Sequence, residues 1–127
     1  MDISNSSRAA AFLRRQMRVK ESEEFWVVAL NSLCNVIEAE MLFRGTVDSC
    51  QVHPRDIFRF GLLTNASSML LGHNHPSASC LPSVADIQLT RKLKKAGELL
   101  QIPITDHIIV TIDSHFSFAE NKWGLPS

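Results

Sequence analysis

A short apolar run, SSMLLGHN (residues 67–74), constrains the fold of this chain more than any other segment. Its first six residues show no alternation of polar and apolar side chains, which is typical of a strand covered on both faces. Such a strand needs other elements above and below it, so the run predicts a layered domain with this segment at the centre of a sheet. A chain of 127 residues is long enough to form that core as one domain.

The segments around this run alternate between helical and extended patterns. Helices are predicted over 8–18, 54–65 and 83–101. The other predicted strands are a hairpin of 24–32 and 36–43 and two closing strands, 106–113 and 115–120. The order αββαβαββ predicts an α/β fold, a mixed α+β sheet flanked by helices, as a single domain over 1–127 with an N-terminal helical part (1–20) and a core (21–127). The helix between the second hairpin strand and the central run favours parallel directions for these two strands.

Composition argues against several classes of protein. The formal net charge is zero, so the chain lacks the broad positive charge of a dedicated nucleic-acid binder, although basic residues cluster over 14–20 and 91–95. The three cysteines form no C-x-x-C pair, which argues against a disulfide framework or a zinc ribbon and fits a reducing compartment. No apolar run approaches the ~18 residues of a membrane span, and the start lacks the apolar core of a signal peptide. We therefore expect a cytoplasmic protein with no membrane partner.

Two histidines, His73 and His75, stand at the end of the predicted central strand. Residues two apart on an extended segment point to the same side, so both imidazoles can face one point. This geometry suits a divalent cation, but H-x-H alone is a weak signal because histidines in turns often only hydrogen-bond nearby groups. The pattern indicates candidate metal ligands, with a purely structural role as the alternative.

Ser83 and Asp86 open the longest predicted helix with the spacing of a capping box, which by itself explains both residues. The helical phase indicates more for Asp86, because it lies on the same face as the apolar residues Leu89, Leu93 and Ala96. An inward carboxylate is costly unless it is paired or bound to a metal, and no basic residue on that face offers a partner. The phase therefore favours Asp86 as a third ligand.

Two neutral imidazoles and one carboxylate make a three-ligand set with an open fourth position, the arrangement of catalytic zinc. Cys80 lies in the same loop and is the alternative fourth ligand, which would close the site and make it structural. The sequence therefore predicts a metal site at His73, His75 and Asp86, open for chemistry unless Cys80 completes it.

The spacing His73-x-His75, seven intervening residues, Ser83, two more, and Asp86 resembles the JAMM motif of the MPN/JAB metalloprotease superfamily. The strings "FRGTVDSCQVHPRDIFRFGLLTNASSMLLGHNHPS", "DHIIV" and "SFAE" are similar to the RadC-like branch of bacterial proteins, over about residues 21–124. Ala78 stands where that branch usually has glycine, which would strain a left-handed backbone. Relatives usually begin with a helix-hairpin-helix-like region, so the chain is expected to be either the catalytic domain alone or a short member of the branch.

The resemblance implies a JAB/MPN-like fold with a cytidine-deaminase-like arrangement, and hydrolysis of a peptide or isopeptide amide bond in a protein substrate. It implies Zn²⁺ held by His73, His75 and Asp86, which activates water and polarises the scissile carbonyl. It further implies that Ser83 donates a hydrogen bond to the oxyanion that develops on the substrate.

The resemblance also implies an upstream glutamate that accepts a proton from water and returns it to the leaving amine. Its pattern, a glutamate two residues before the phenylalanine of the first strand, matches Glu23. Strand alternation alone does not choose, because it places Glu23 on the side of Phe25 and Glu24 on another apolar side. A solvated run of charge remains the alternative for Glu21 and Glu24.

Other interpretations stay open at this point. His107 could orient a metal ligand, although closure of a loop together with Asp106 is the favoured role. The alternative function is a DNA-repair-associated accessory or nucleic-acid-binding module with a structural or inactive metal site. The basic stretches could contact phosphates, while the neutral net charge argues against this function. A scaffold with an inactive site is a third possibility, suggested by Ala78.

Overall fold

The computed structural model describes residues 2–18, 21–45, 52–77 and 79–124. Their helices and strands follow one another in the predicted order and end in a kinked 3₁₀ segment, Ala119–Gly124. The helices are α1 (Ser6–Gln16), α2 (Pro54–Leu63) and α3 (Val84–Leu100). The strands are β1 (Glu23–Leu30), β2 (Val36–Gly45), β3 (Ser68–Asn74), β4 (Ile104–Val110) and β5 (His115–Ser117). None of the helices in these ranges has the length and apolar character needed to cross a membrane.

The strands form one five-stranded mixed sheet in the order β2-β1-β3-β4-β5. β1 is antiparallel to both of its neighbours, β3 and β4 are parallel, and β5 returns antiparallel to β4. β2 and β3 therefore run in the same direction, as predicted, but β1 lies between them. The predicted α/β class, a mixed sheet with flanking helices, is confirmed.

Helices cover both faces of the sheet, and every residue of β3 is buried between them, as predicted for the central run. One core packs α1 against β1, β3 and β4, and the other packs α2 and α3 against the opposite face. Helix α1 lies very close to β3, because a Cβ atom added at Gly72 would lie only 2.6 Å from the side chain of Leu13. Glycine at this position lets α1 pack directly over the strand that carries His73.

The closing hairpin is shorter than the sequence predicted, because β5 ends at Ser117 rather than at residue 120. The carboxylate of Asp106 accepts the Ala119 N–H at 2.9 Å and the Ser117 hydroxyl at 2.5 Å. These hydrogen bonds to the Asp106 side chain take the place of further pairing between β4 and β5, and the chain turns into the 3₁₀ segment.

Candidate metal centre

His73 and His75 lie at the carboxyl end of the central strand. His73 is 1% exposed and its ring stacks on Phe25, whereas His75 follows the strand and is partly exposed. The N–H of His75 still donates to Val110 O at 3.0 Å, so the extended backbone continues one residue past β3. As predicted, both imidazoles face the same side, with their Nε2 atoms 3.1 Å apart.

Asp86 reaches the same point from the first turn of α3, and its side chain is only 8% exposed. Its Oδ1 lies 3.4 Å from Nε2 of His73, and its Oδ2 lies 3.4 Å from Nε2 of His75. The capping box is also complete: Ser83 N–H donates to Asp86 Oδ2 at 2.8 Å, and Asp86 N–H donates to Ser83 Oγ at 3.1 Å. The two interpretations of Asp86 are therefore compatible, because the cap holds the carboxylate towards the histidines.

The spacing of these atoms is close to that of ligands around one tetrahedral metal ion. With zinc bonds of about 2.0–2.2 Å, neighbouring ligand atoms lie about 3.3–3.6 Å apart. The nitrogen pair is 3.1 Å apart and each nitrogen is 3.4 Å from a carboxylate oxygen. Within the described residues, His73, His75 and Asp86 form the group that could share an ion, and Cys80 is not part of it. A closed four-ligand site with a thiolate is therefore not what the structure supports.

The Asp86 carboxylate interacts electrostatically with the neighbouring imidazoles. Burial alone would raise the pKa of the Asp86 carboxyl, but the neighbouring imidazoles of His73 and His75 outweigh it and hold that pKa well below its usual range. The nearby Asp86 carboxylate raises the pKa of His75 against the opposing effect of burial, and the charge of Glu23 adds to the rise. The pocket is thus built to keep one carboxylate ionised beside imidazoles.

His107 lies behind His73, and here the favoured sequence interpretation was incomplete. Asp106 does close the loop, by accepting the His107 N–H at 2.7 Å. The ring of His107, however, is fully buried and its Nε2 lies 2.7 Å from Nδ1 of His73. Burial lowers the pKa of His107 well below its ordinary value, and the neighbouring His73 acts in the same direction. His107 is therefore a neutral partner of a candidate ligand, the role that the sequence gave second place.

Glu23 lies on the first strand, across from the histidines. Phe25 pairs with His73 in the antiparallel register of β1 and β3, and continuing that register by two residues sets Glu23 opposite His75. Asn74 holds this part of β1 at both sides of Glu23: its Oδ1 accepts the Glu24 N–H at 2.7 Å and its Nδ2 donates to Ser22 O at 2.8 Å. Asn74 therefore fixes the backbone that carries Glu23, a role that the sequence analysis missed.

Glu24 is not part of a solvated run of charge, and for this residue that interpretation was wrong. Its side chain is 1% exposed on the opposite face of β1, accepts the Trp26 indole N–H at 2.9 Å and pairs with Arg44 at 3.5 Å. Glu21, in contrast, is exposed and pairs with Arg18 at 3.6 Å, as a surface charge does. Glu24 thus lies on the face away from the histidines and Glu21 lies on the surface.

Ser83 is exposed at the start of α3, next to the ligand group. Its Oγ accepts the Asp86 N–H, so the hydroxyl proton is not used by the cap and can point outwards. This geometry is compatible with both the capping role and the predicted oxyanion contact. Ala78, on which the prediction of a strained loop was based, lies outside the described residues.

Comparisons with known proteins agree with this architecture. A family model described as RadC-like JAB domain matches residues 3–123. Similar curated proteins, each named UPF0758 protein, include those of Actinobacillus succinogenes (36% identical over 96% of this chain), Haemophilus ducreyi (38% over 95%) and Aliivibrio fischeri (34% over 95%). The matches cover 56%, 54% and 54% of those proteins, so the chain spans about half the length of the curated relatives it matches.

Proposed function

The chain belongs to the RadC family through its RadC-like JAB domain, and on this premise we propose that it is a zinc-dependent hydrolase of peptide or isopeptide amide bonds. One observation carries the proposal: two imidazole nitrogens and a buried carboxylate converge at ligand distance at the end of the central strand. Three protein ligands leave a position open, which distinguishes catalytic from structural zinc sites.

The donor set determines which ion suits the site. His73 and His75 offer neutral nitrogens and Asp86 an ionised oxygen, a combination that zinc accepts in tetrahedral geometry. When bound, zinc supplies Lewis acidity, which polarises a carbonyl and acidifies a water molecule. The burial of His73 and Asp86 strengthens every charge interaction at the site, because little water screens them.

Glu23 is the proposed general base. Two observations support it: the β1–β3 register extends to set Glu23 across from His75 on backbone that Asn74 fixes, and the charge of Glu23 acts on the His75 imidazole. Glu23 accepts the proton that water loses on attacking the carbonyl carbon. It then delivers this proton to the nitrogen as the carbon–nitrogen bond breaks, so the products are an acid and an amine.

Zinc content and amide hydrolysis test this function together. Purified protein is expected to contain about one zinc per chain and to cleave members of a library of linear and isopeptide-linked peptides, detected by mass spectrometry. Chelation should abolish cleavage, and added zinc should restore it. His73→Ala should lose both, while His53→Ala, a histidine outside the ligand group, should keep both. A zinc-loaded protein that cleaves neither kind of peptide would contradict the proposal.

Ser83 is expected to contribute to catalysis beyond its role as a helix cap. Ser83→Gly keeps most of the N-cap stability, whereas Ser83→Ala loses about 1 kcal/mol of it. Both variants lack the hydroxyl, and we expect kcat to fall about 100-fold in both, because an oxyanion donor is lost. Thermal unfolding and kcat measured side by side check this. If kcat is unchanged in Ser83→Gly, the residue is a cap only.

The nucleic-acid alternative gains no specific support from the described residues. Several of the basic side chains that suggested it make internal contacts: Arg14 donates to Thr111 O at 2.9 Å and to Ser114 O at 2.6 Å, and Lys94 pairs with Glu98 at 2.8 Å. The alternative stays a prediction, and salt-dependent binding to DNA would support it.

A further inference from the structure

A line of hydrogen bonds runs from the backbone of α3 through two buried side chains to His73. Thr90 Oγ1 donates to Asp86 O at 2.7 Å and lies 2.6 Å from Nδ1 of His107. Nε2 of His107 then lies 2.7 Å from Nδ1 of His73. Both Thr90 and His107 are fully buried, and His107 is held between the rings of Phe25 and Phe118.

The contact between Thr90 and Asp86 determines which atom donates in each hydrogen bond of this line. The carbonyl of Asp86 can only accept, so the single hydroxyl proton of Thr90 is used in the hydrogen bond to it. The Thr90 oxygen then accepts a hydrogen bond from the Nδ1–H of His107. A neutral imidazole carries one N–H, which leaves Nε2 of His107 bare to accept from Nδ1 of His73. His73 therefore has no proton on Nε2, the atom that faces Asp86.

We infer that Thr90 and His107 are positioning residues that fix the tautomer of His73 with Nε2 bare and ready to bind a metal. The inference rests on the proposed metal-dependent function. His75 needs no such device, because its Nδ1 lies 3.1 Å from Ser79 O, a carbonyl that can only accept. His73 has another imidazole as its partner, which could act as donor or acceptor. The reverse direction would put a proton on Nε2 of His73 and block that ligand atom.

The tautomer of His107 tests the inference without substrate. In ¹⁵N-histidine-labelled protein at about pH 8, long-range ¹H–¹⁵N spectra should show His107 protonated on Nδ1 and bare on Nε2, with and without zinc. Thr90→Val keeps the side-chain shape but cannot accept the Nδ1 proton, so in the zinc-free variant His107 should switch to Nε2–H. Thr90→Ser should restore the wild-type pattern. A wild-type His107 protonated on Nε2 would overturn the inference, whether or not the variants fold.

Zinc affinity is the second readout. Thr90→Val should bind zinc about 10–100-fold more weakly than wild type in a chelator competition, and Thr90→Ser should recover the affinity. Equal affinity of wild type and Thr90→Val would overturn the positioning role. If wild type binds no zinc, the proposed function fails, and the His107 tautomer in the zinc-free protein still decides the direction of the line. If zinc is bound but no peptide is cleaved, only the hydrolase proposal fails.

Discussion

Glu23→Gln is expected to keep zinc fully bound and to lower amide hydrolysis by about 100- to 10,000-fold, the usual contribution of a general acid–base. Glutamine has nearly the same shape but cannot accept the proton from water. The backbone contacts that position residue 23 come from Asn74 to the neighbouring residues, so they should survive the substitution. Single-turnover rates beside elemental analysis of the same preparation measure both halves of the expectation.

Glu21→Gln is the matched control for this experiment. Glu21 lies two residues earlier, with its side chain 68% exposed and paired with the surface residue Arg18 at 3.6 Å. Its substitution should change neither zinc content nor rate, because surface ion pairs contribute little to stability. Unchanged activity in Glu23→Gln would remove Glu23 from the mechanism, and a large loss in Glu21→Gln would show that the wrong glutamate was assigned.

Asp86→Asn is expected to weaken zinc binding by at least about 1,000-fold. This is a larger effect than the loss of a residue that only hydrogen-bonds to a metal ligand, which usually weakens binding by about 10–100-fold. The substitution removes the negative ligand that is held ionised beside His73 and His75. Asparagine can still accept the Ser83 N–H, so the start of α3 should remain capped. Chelator competition gives the affinity, and thermal unfolding without zinc shows whether the helix cap is intact.

Asp56→Asn offers a closely matched comparison. Asp56 also lies in the first turn of a helix, α2, but it is half exposed and not part of the ligand group. Its substitution should leave zinc affinity unchanged. Tight zinc binding by Asp86→Asn would mean that the three-ligand assignment is wrong, because the remaining pair of imidazoles could not account for it.

Local patterns in the sequence were enough to predict much of the fold and part of the candidate site. The unbroken apolar run predicted that β3 is covered on both faces, and it is. The helical phase of α3 placed Asp86 on the inner face, and its side chain is 8% exposed there. Strand alternation brought His73 and His75 to one side, with their Nε2 atoms 3.1 Å apart. Each of these features depends only on the burial and the side-chain period of one strand or one helix. The residues of that element alone are sufficient to show both.

Only the tertiary structure decided which residues lie next to those candidate ligands on the neighbouring strands. His107 belongs to β4, and the parallel register that pairs Leu71 with His107 brings its ring to the face of His73. The antiparallel register of β1 on β3 likewise puts Glu23, and not Glu24, on the face of the histidines, which the alternation of β1 alone left open. Thr90 and Asn74 carried no recognisable signal of their positioning roles. Register is set by the packing of whole elements on one another, so the periodicity of a single strand or helix cannot report it.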